Sequence, residues 1–237
     1  MSRPSLLAVS HGTSDPRGAA AIALLVERVA ARLPDVRVCS AFVDVQQPDA
    51  ETALAGLDGP VVVVPLLLSR GFHVGVDLGR LARPGVRVTD PLGPDPRLAA
   101  VLARRLAETA ASDVPVVLGV AGSRDPRSLP DAERTASLLA RRLRRPVTTA
   151  YLAARAPRVD DALRAHPGAV LATYLLAPGY FFDLARRLAE GHPVSAPLLD
   201  GAEPPTELVD IVVDRYRDAE ARDLAPGLRE WASVATV

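Results

Sequence analysis

The sequence predicts an α/β fold built on parallel sheets, and three observations support this prediction. Eight short runs rich in Val and Leu lack a clean alternation of polar and apolar residues, which is typical of parallel strands covered on both faces. Amphipathic stretches such as "RGAAAIALLVERVAARL" lie between these runs and have helical periodicity. Because strand and helix patterns alternate along the chain, we expect a doubly wound arrangement.

The strand candidates are the apolar segments themselves, and each is short enough to cross a sheet once. In chain order they cover residues 5–10, 36–43, 60–68, 86–92, 115–121, 146–153, 169–177 and 193–199. The helical stretches that follow the first and fourth strands show the clearest amphipathic pattern, at residues 17–33 and 95–111.

Composition limits the classes of protein to which the chain can belong. With 237 residues and 49% hydrophobic content the chain can bury a substantial core. It has no uncharged apolar run of membrane-spanning length and no N-terminal export signal, so we expect a cytoplasmic protein without a membrane partner. The single cysteine, Cys39, excludes an internal disulfide and a CxxC metal site.

Charge points away from nucleic acid as a partner. The 28 basic residues balance 28 acidic residues, and every basic residue is Arg. No basic block or stripe of interleaved aromatic residues is present, which argues against a nucleic-acid interface. An anionic ligand would therefore have to be bound by local arginines.

The chain contains an internal repeat with a nearly constant offset. "LLAVSHGTSDPRG" aligns with "VLGVAGSRDPRS", "VCSAFVDVQQPDAETAL" with "VTTAYLAARAPRVDDAL", and "LLLSRGFHVGVDL" with "YLLAPGYFFDLAR". The aligned pairs include Asp15 with Asp125, Pro48 with Pro157, and Gly71 with Gly179. Two homologous halves are therefore predicted, residues 1–112 and 113–237.

The repeat also distinguishes residues that could carry a function from residues that both halves need for the fold. Three polar residues of the first half meet apolar residues in the second: His11 faces Ala121, Asp44 faces Ala153 and His73 faces Phe181. Each of the three polar residues follows or ends a predicted strand. Ligands of open parallel sheets bind at the carboxyl ends of the strands, so these side chains can converge on one site.

Two imidazoles and a carboxylate allow two kinds of chemistry. They suit a borderline divalent metal such as iron, cobalt, nickel or zinc, and imidazole near neutral pH can equally accept a proton. The residues alone leave metal binding and base catalysis both open.

The segments "SHGTSDPRG", "AFVDVQQP" and "PLLLSRGFHVGVDL" resemble the three signature segments of the class II tetrapyrrole chelatases, in particular the sirohydrochlorin chelatases of siroheme and cobalamin synthesis. The resemblance covers the whole chain, because long members of that family carry two such halves in tandem whereas short members pair as homodimers. It implies two chelatase-like domains, each with a mainly parallel four-stranded sheet flanked by helices and related by a pseudo-two-fold axis. A fused pseudo-dimer of this kind is expected to be a monomer.

The resemblance implies a lyase-type metal chelatase that inserts Fe²⁺ or Co²⁺ into sirohydrochlorin without ATP, with Ni²⁺ as a third candidate. The metal is then a substrate, and no resident cofactor is expected. His11 and His73 match the two family histidines that hold the metal, accept pyrrole protons, or both. Asp44 is the third metal-ligand candidate, at a position where many family members carry Glu.

The anionic tetrapyrrole would be bound by the loops around these residues. The candidates for substrate binding are Ser10, Gly12, Thr13, Ser14, Ser69, Arg70, Gly71 and Phe72. The matching loops of the second half, "AGSRDPR" and "APGYFFD", would close the other side of the cleft, with Tyr180, Phe181 and Phe182 as an apolar wall.

Two other functions compete with insertion. A non-catalytic carrier or sensor of metal or tetrapyrrole would use the same ligands on the same scaffold. A histidine phosphatase also begins with a strand-end His-Gly pair, but its phosphate pocket calls for Arg immediately before the His, where this chain has Ser10.

Overall fold

The protein is described by a computed structural model covering residues 3–70, 78–110 and 113–223. The first half forms a fully parallel four-stranded sheet in the order β2-β1-β3-β4. Its strands are β1 (Ser5–Ser10), β2 (Val38–Phe42), β3 (Val61–Pro65) and β4 (Val86–Val88). A short 3-10 helix, Gly79–Leu81, precedes β4.

The second half forms a parallel sheet of three strands in the order β6-β5-β7. They are β5 (Val116–Val120), β6 (Val147–Tyr151) and β7 (Val170–Tyr174). The strand predicted at residues 193–199 is reduced to one bridge between Leu171 and Val194. Ser195 explains the difference, because its Oγ accepts the Thr173 N–H at 3.0 Å and so replaces the next backbone ladder bond.

Seven helices flank the sheets within the described residues, and several have identifiable start signals. They are α1 (Pro16–Arg32), α2 (Ala50–Ala55), α3 (Pro96–Ala107), α4 (Ser128–Leu143), α5 (Val159–Ala165), α6 (Tyr180–Leu188) and α7 (Thr206–Asp223). Asp15 caps α1 by accepting the Arg17 N–H at 2.8 Å, and Pro16 occupies the first helical position. The Arg17 guanidinium also bonds Asp15 and holds the pKa of that carboxyl at about 2.

The two halves share one core. Leu6 and Ala8 of β1 face a central cluster that also contains Leu118 of β5 and Val170 of β7. The intervening β1 residue Leu7 faces a separate outer cluster, as strand alternation requires. A second outer cluster covers the other face of the second sheet.

The halves also exchange their last helices. Helix α3 ends the first half but packs on β7 and α4 of the second half, whereas α7 ends the second half but packs on β3 and α1 of the first. The predicted boundary between residues 1–112 and 113–237 therefore lies between two sheets, but each sheet is covered by a helix from the other half.

The α/β class with two related parallel sheets is confirmed. Of the helices that the structure describes, none combines the length and apolar character needed to cross a membrane.

Candidate active site

A cleft of about 690 Å³ opens where the strands of both sheets end, and residues from both halves line it. This volume lies in the range of sites for cofactor-sized ligands. Six of the predicted site residues border it: Ser10, His11, Gly12, Thr13, Ser14 and Ser69. The carboxyl ends of the strands thus form the site, as expected for a parallel sheet.

His11 follows β1 directly, and its exposed side chain lines the cleft. The next residue, Gly12, has a φ of +93°, and a Cβ there would lie 2.0 Å from the carbonyl oxygen of Asp44. Only glycine can occupy such a position. This close approach brings the ends of β1 and β2 together, and the Asp44 N–H donates to the His11 carbonyl at 2.9 Å.

A backbone hydrogen bond therefore holds Asp44 beside His11, but Asp44 is not among the residues that line the cleft. Asp44 Oδ1 accepts the Val45 N–H at 2.7 Å, and the Asp44 carbonyl accepts the Gln46 N–H at 2.7 Å. These bonds close a γ-turn around Val45, whose φ of 64° is strained for a β-branched residue. Metal ligation by Asp44 stays a prediction.

The second half repeats this backbone without the polar side chains. The Ala153 N–H donates to the Ala121 carbonyl at 3.0 Å, and the Arg155 N–H donates to the Ala153 carbonyl at 2.8 Å. Ala154 has a φ of 63°, matching Val45. A Cβ on Gly122 would lie 2.1 Å from the Ala153 oxygen. The turn thus belongs to the scaffold, and His11 and Asp44 are specific to the first half.

Arg70 follows the cleft residue Ser69 and is paired with the second half. Its backbone N–H donates to Asp131 Oδ2 at 2.7 Å, and its Nη2 donates to Asp131 Oδ1 at 2.6 Å. The side chain of Asp131 is 1% exposed, whereas that of Arg70 is 52% exposed. The hydrogen bonds to Asp131 raise the pKa of Arg70. The predicted contact of Arg70 with substrate stays a prediction.

A second contact from the opposite half fixes the same segment. The Tyr174 hydroxyl donates to the Leu68 carbonyl at 3.0 Å. Burial is the main cause of the raised pKa of Tyr174, so the phenol stays protonated as a donor. Two side chains of the second half therefore hold the segment Leu68–Arg70 at the edge of the cleft.

Exposed apolar side chains surround the mouth of the cleft. Among the residues that the structure describes, the large hydrophobic side chains classed as exposed are Val45, Tyr180 and Phe181, and all three line the cleft. Tyr180 and Phe181 pack edge to face with ring centroids 5.4 Å apart. Phe182, the third member of the predicted wall, packs instead against the outer core of the second half.

Three predicted site residues, Gly71, Phe72 and His73, lie outside the described residues. Within the described part of the chain, no three His, Cys, Asp or Glu side chains come together as a metal site. The predicted ligand set of His11, Asp44 and His73 therefore stays a prediction.

The sequence did not lead us to predict Asp131 or Val45 as residues of this site. The repeat carried a signal for Asp131, because it aligns with Ala21 and so is a further polar residue specific to one half. For Val45 the repeat carried no such signal, since an apolar residue, Ala154, occupies the matching position.

Two sequence comparisons find known proteins that are similar to this chain. The family model described as CbiX matches residues 5–109. A sirohydrochlorin cobaltochelatase from Methanosarcina acetivorans is 28% identical over 92 residues, which are 37% of this chain and 67% of that protein.

Three solved structures resemble this chain over both of its halves. SirB from Bacillus subtilis with Fe³⁺ gives a TM-score of 0.75 at 21% identity, covering 94% of this chain and 98% of SirB. The sirohydrochlorin chelatase SirB from Bacillus subtilis subspecies spizizenii, in complex with cobalt, gives 0.76 at 19% identity with the same coverage, 94% and 98%. A multi-domain Deinococcus radiodurans protein with structural similarity to chelatases gives 0.66 at 21% identity, covering 91% of this chain and 55% of that one. At these identities the likeness establishes a shared fold.

Proposed function

We propose that this chain, a member of the class II chelatase family, inserts a divalent metal ion into sirohydrochlorin without ATP. The observation that carries the proposal is His11, which lines a cleft formed by both halves at a position where the second half has Ala121. Fe²⁺ would serve siroheme synthesis and Co²⁺ cobalamin synthesis, with Ni²⁺ as a third candidate. The similar proteins include a cobaltochelatase and a SirB structure with Fe³⁺, so the proposal keeps both cobalt and iron.

The metal is a substrate in this reaction and needs a site that releases it. His11 and His73 would hold the ion with few protein ligands, because a closed four-ligand cage would retain it. Asp44 would contribute a carboxylate from the adjacent strand end, directly or through water. A neutral imidazole can also accept a proton as a pyrrole nitrogen binds the metal.

The macrocycle would lie in the cleft against apolar side chains. Val45, Tyr180 and Phe181 offer exposed apolar surface at the mouth, where the faces of a large flat ring can be desolvated. Thr13, Ser14 and Ser69 line the same cleft and offer polar contacts to its edge, together with Gly12.

The carboxylates of sirohydrochlorin would meet arginine. Among the described residues, Arg70 binds Asp131 through Nε and Nη2, so the Nη1 edge of its guanidinium would be the one to meet a second anion. A guanidinium group that one carboxylate fixes along one edge is oriented to bind a second carboxylate along its other edge. Gly71 and Phe72, which follow it in the chain, remain candidates for the same role.

A measurement of catalytic turnover distinguishes a metal-inserting enzyme from a non-catalytic carrier or sensor. Purified protein is mixed with sirohydrochlorin and Fe²⁺, Co²⁺ or Ni²⁺, and the absorbance change of the macrocycle is followed. We expect multiple turnovers with at least one metal, and loss of most activity in His11→Ala and in His73→Ala. Binding of metal or tetrapyrrole without rate enhancement would favour the carrier, and wild-type rates in both variants would contradict the site assignment.

The remaining expectations belong to the same proposal. The halves, residues 1–112 and 113–237, would act as one fused pseudo-dimer that works as a cytoplasmic monomer. The first half would carry the metal site, and the second would complete the cleft.

A further inference from the structure

Ser10 is the last residue of β1, and it lies deep in the cleft beside His11. Its side chain is 2% exposed. Side chains alternate along a strand, so Ser10 shares a face with Leu6 and Ala8, which point into the central core between the halves. At the carboxyl end of the strand this face reaches the cleft, and Ser10 is among the residues that line it.

The hydroxyl of Ser10 has no hydrogen-bond partner within residues 3–70, 78–110 and 113–223. Other buried hydroxyls behave differently, since Thr135 Oγ1 donates to the Asp131 carbonyl at 2.9 Å and Thr173 Oγ1 donates to the Ser195 carbonyl at 2.9 Å. A buried hydroxyl without a partner costs folding free energy, so each such group in a native protein calls for an explanation.

The scaffold does not need a hydroxyl at this position. Ser10 aligns with Val120, the last residue of β5, which also lines the cleft. The two residues pair equivalently, Ser10 with Phe42 of β2 and Val120 with Tyr151 of β6. An apolar side chain therefore serves the fold equally well, and the hydroxyl occurs on the side that carries His11.

We propose that Ser10 Oγ accepts a hydrogen bond from a pyrrole N–H at the polar centre of the bound tetrapyrrole. The inference rests on the proposed function. Ser10 shares the cleft lining with buried apolar residues such as Leu66 and Val120, and a peripheral carboxylate of the substrate would lose its hydration at so buried a position. The ring nitrogens are the polar groups of the macrocycle that can enter such a place.

This assignment predicts opposite effects on stability and on binding. In Ser10→Ala and in Ser10→Val, which installs the residue of the second half, the Tm of the ligand-free protein should stay equal or rise, because a buried unpaired hydroxyl is removed. The Kd for metal-free sirohydrochlorin, measured by absorbance titration, should rise by about tenfold, the loss expected for one buried hydrogen bond. Ser10→Thr restores a hydroxyl and should recover most of the affinity.

Ser195→Ala is the matched control. Ser195 is also fully buried, but its Oγ accepts the Thr173 N–H at 3.0 Å and it lies outside the cleft. This variant should lower the Tm and leave the Kd unchanged. If Ser10→Ala behaves like Ser195→Ala, with a lower Tm and an unchanged Kd, Ser10 is structural and the inference is wrong.

The same measurements keep this inference separate from the proposed function. Wild-type protein that binds sirohydrochlorin in a Ser10-dependent way but inserts no metal would refute insertion and support the role of Ser10. Wild-type insertion with a Kd that is unchanged in the alanine and valine variants would do the reverse. A wild-type protein that binds no sirohydrochlorin would overturn both.

Discussion

The ion pair between Arg70 and Asp131 joins residues with very different exposure. Asp131 is 1% exposed and Arg70 52% exposed, so water can solvate the arginine alone but not the carboxylate alone. Arg70→Ala should therefore cost about 3 kcal/mol of unfolding free energy, because the buried carboxylate loses its cationic partner and keeps only the backbone N–H of residue 70. Asp131→Ala should cost clearly less, and the double variant should resemble Asp131→Ala. Chemical denaturation of the four proteins measures these differences.

The matching positions of the other half carry no charges. The repeat pairs Asp131 with Ala21 and Arg70 with Pro178. Glu203→Gln is a suitable control, since the Arg28–Glu203 pair also links the halves but is exposed and should change stability by less than about 1 kcal/mol. Equal costs for the Arg70 and Asp131 variants would contradict the argument from burial.

At this scale the repeat singled out His11, because the second half has Ala121 at the matching position. The structure places His11 on one cleft together with Ser10 and Ser69, and the roles of these three residues stay predictions. The partner of Arg70 was not predictable, because Asp131 lies 61 residues away and meets it only through the packing of the two halves.

At the scale of the element, two glycines set the geometry of the strand ends. Gly12 and Gly122 have φ values of +93° and +88°, and a Cβ on either would lie 2.0 or 2.1 Å from a backbone carbonyl oxygen. Gly12→Ala and Gly122→Ala should each lower the free energy of unfolding by more than about 1 kcal/mol, because the strain of alanine at positive φ and the clash of its Cβ with a backbone carbonyl act together. Thermal unfolding of the two variants tests this.

Gly168 provides the control for that prediction. Its φ is +75°, but a Cβ there would meet nothing within 4 Å. Gly168→Ala therefore reports the conformational strain alone, and its loss of stability should be clearly smaller. If all three variants lose the same stability, the close approach of the strand ends does not constrain the site.

The elements themselves were largely predictable from apolar patterning. Strand β1 matches the predicted residues 5–10, and β5 differs from its prediction by one residue at each end. The eighth strand was wrong because hydrophobicity does not specify hydrogen-bond partners. Pro193 and Pro197 carry no N–H, and the Thr173 N–H donates to Ser195 Oγ in place of the next ladder bond.

At the scale of the whole molecule, the asymmetry between the halves predicts the number of metal sites. The shared backbone frame would offer two equivalent sites, but Ala121, Ala153 and Phe181 cannot replace the lost waters of a cation. Titration with Co²⁺ should give one specific site per chain, weaker at low pH because bound imidazole must be neutral. His11→Ala/His73→Ala should abolish it. Two equal sites, or one that survives the double variant, would place the metal elsewhere.

The exchange of helices α3 and α7 determines how the halves depend on each other. In a fragment of residues 1–112, α7 is missing, so the faces of β3 and α1 that it covers are exposed. Val64 and Leu25, which are 0% exposed in the full chain, belong to the same central cluster as the apolar residues of α7. Helix α3 would at the same time lack β7 and α4. Two fragments can satisfy both needs by placing α3 of each on the sheet of the other.

The fragment should therefore self-associate, whereas the full chain should be a monomer. Analytical ultracentrifugation over a range of concentrations distinguishes a self-associating fragment from a monomeric full chain. We expect the fragment to form a dimer, because two copies that each place α3 on the sheet of the other leave no such surface for a third copy. Co-expression with residues 113–237 should suppress the self-association by supplying α7. A fragment that stays folded and monomeric would mean that β3 and α1 do not need the helix from the other half, and that the exchange contributes little to the stability of the fold.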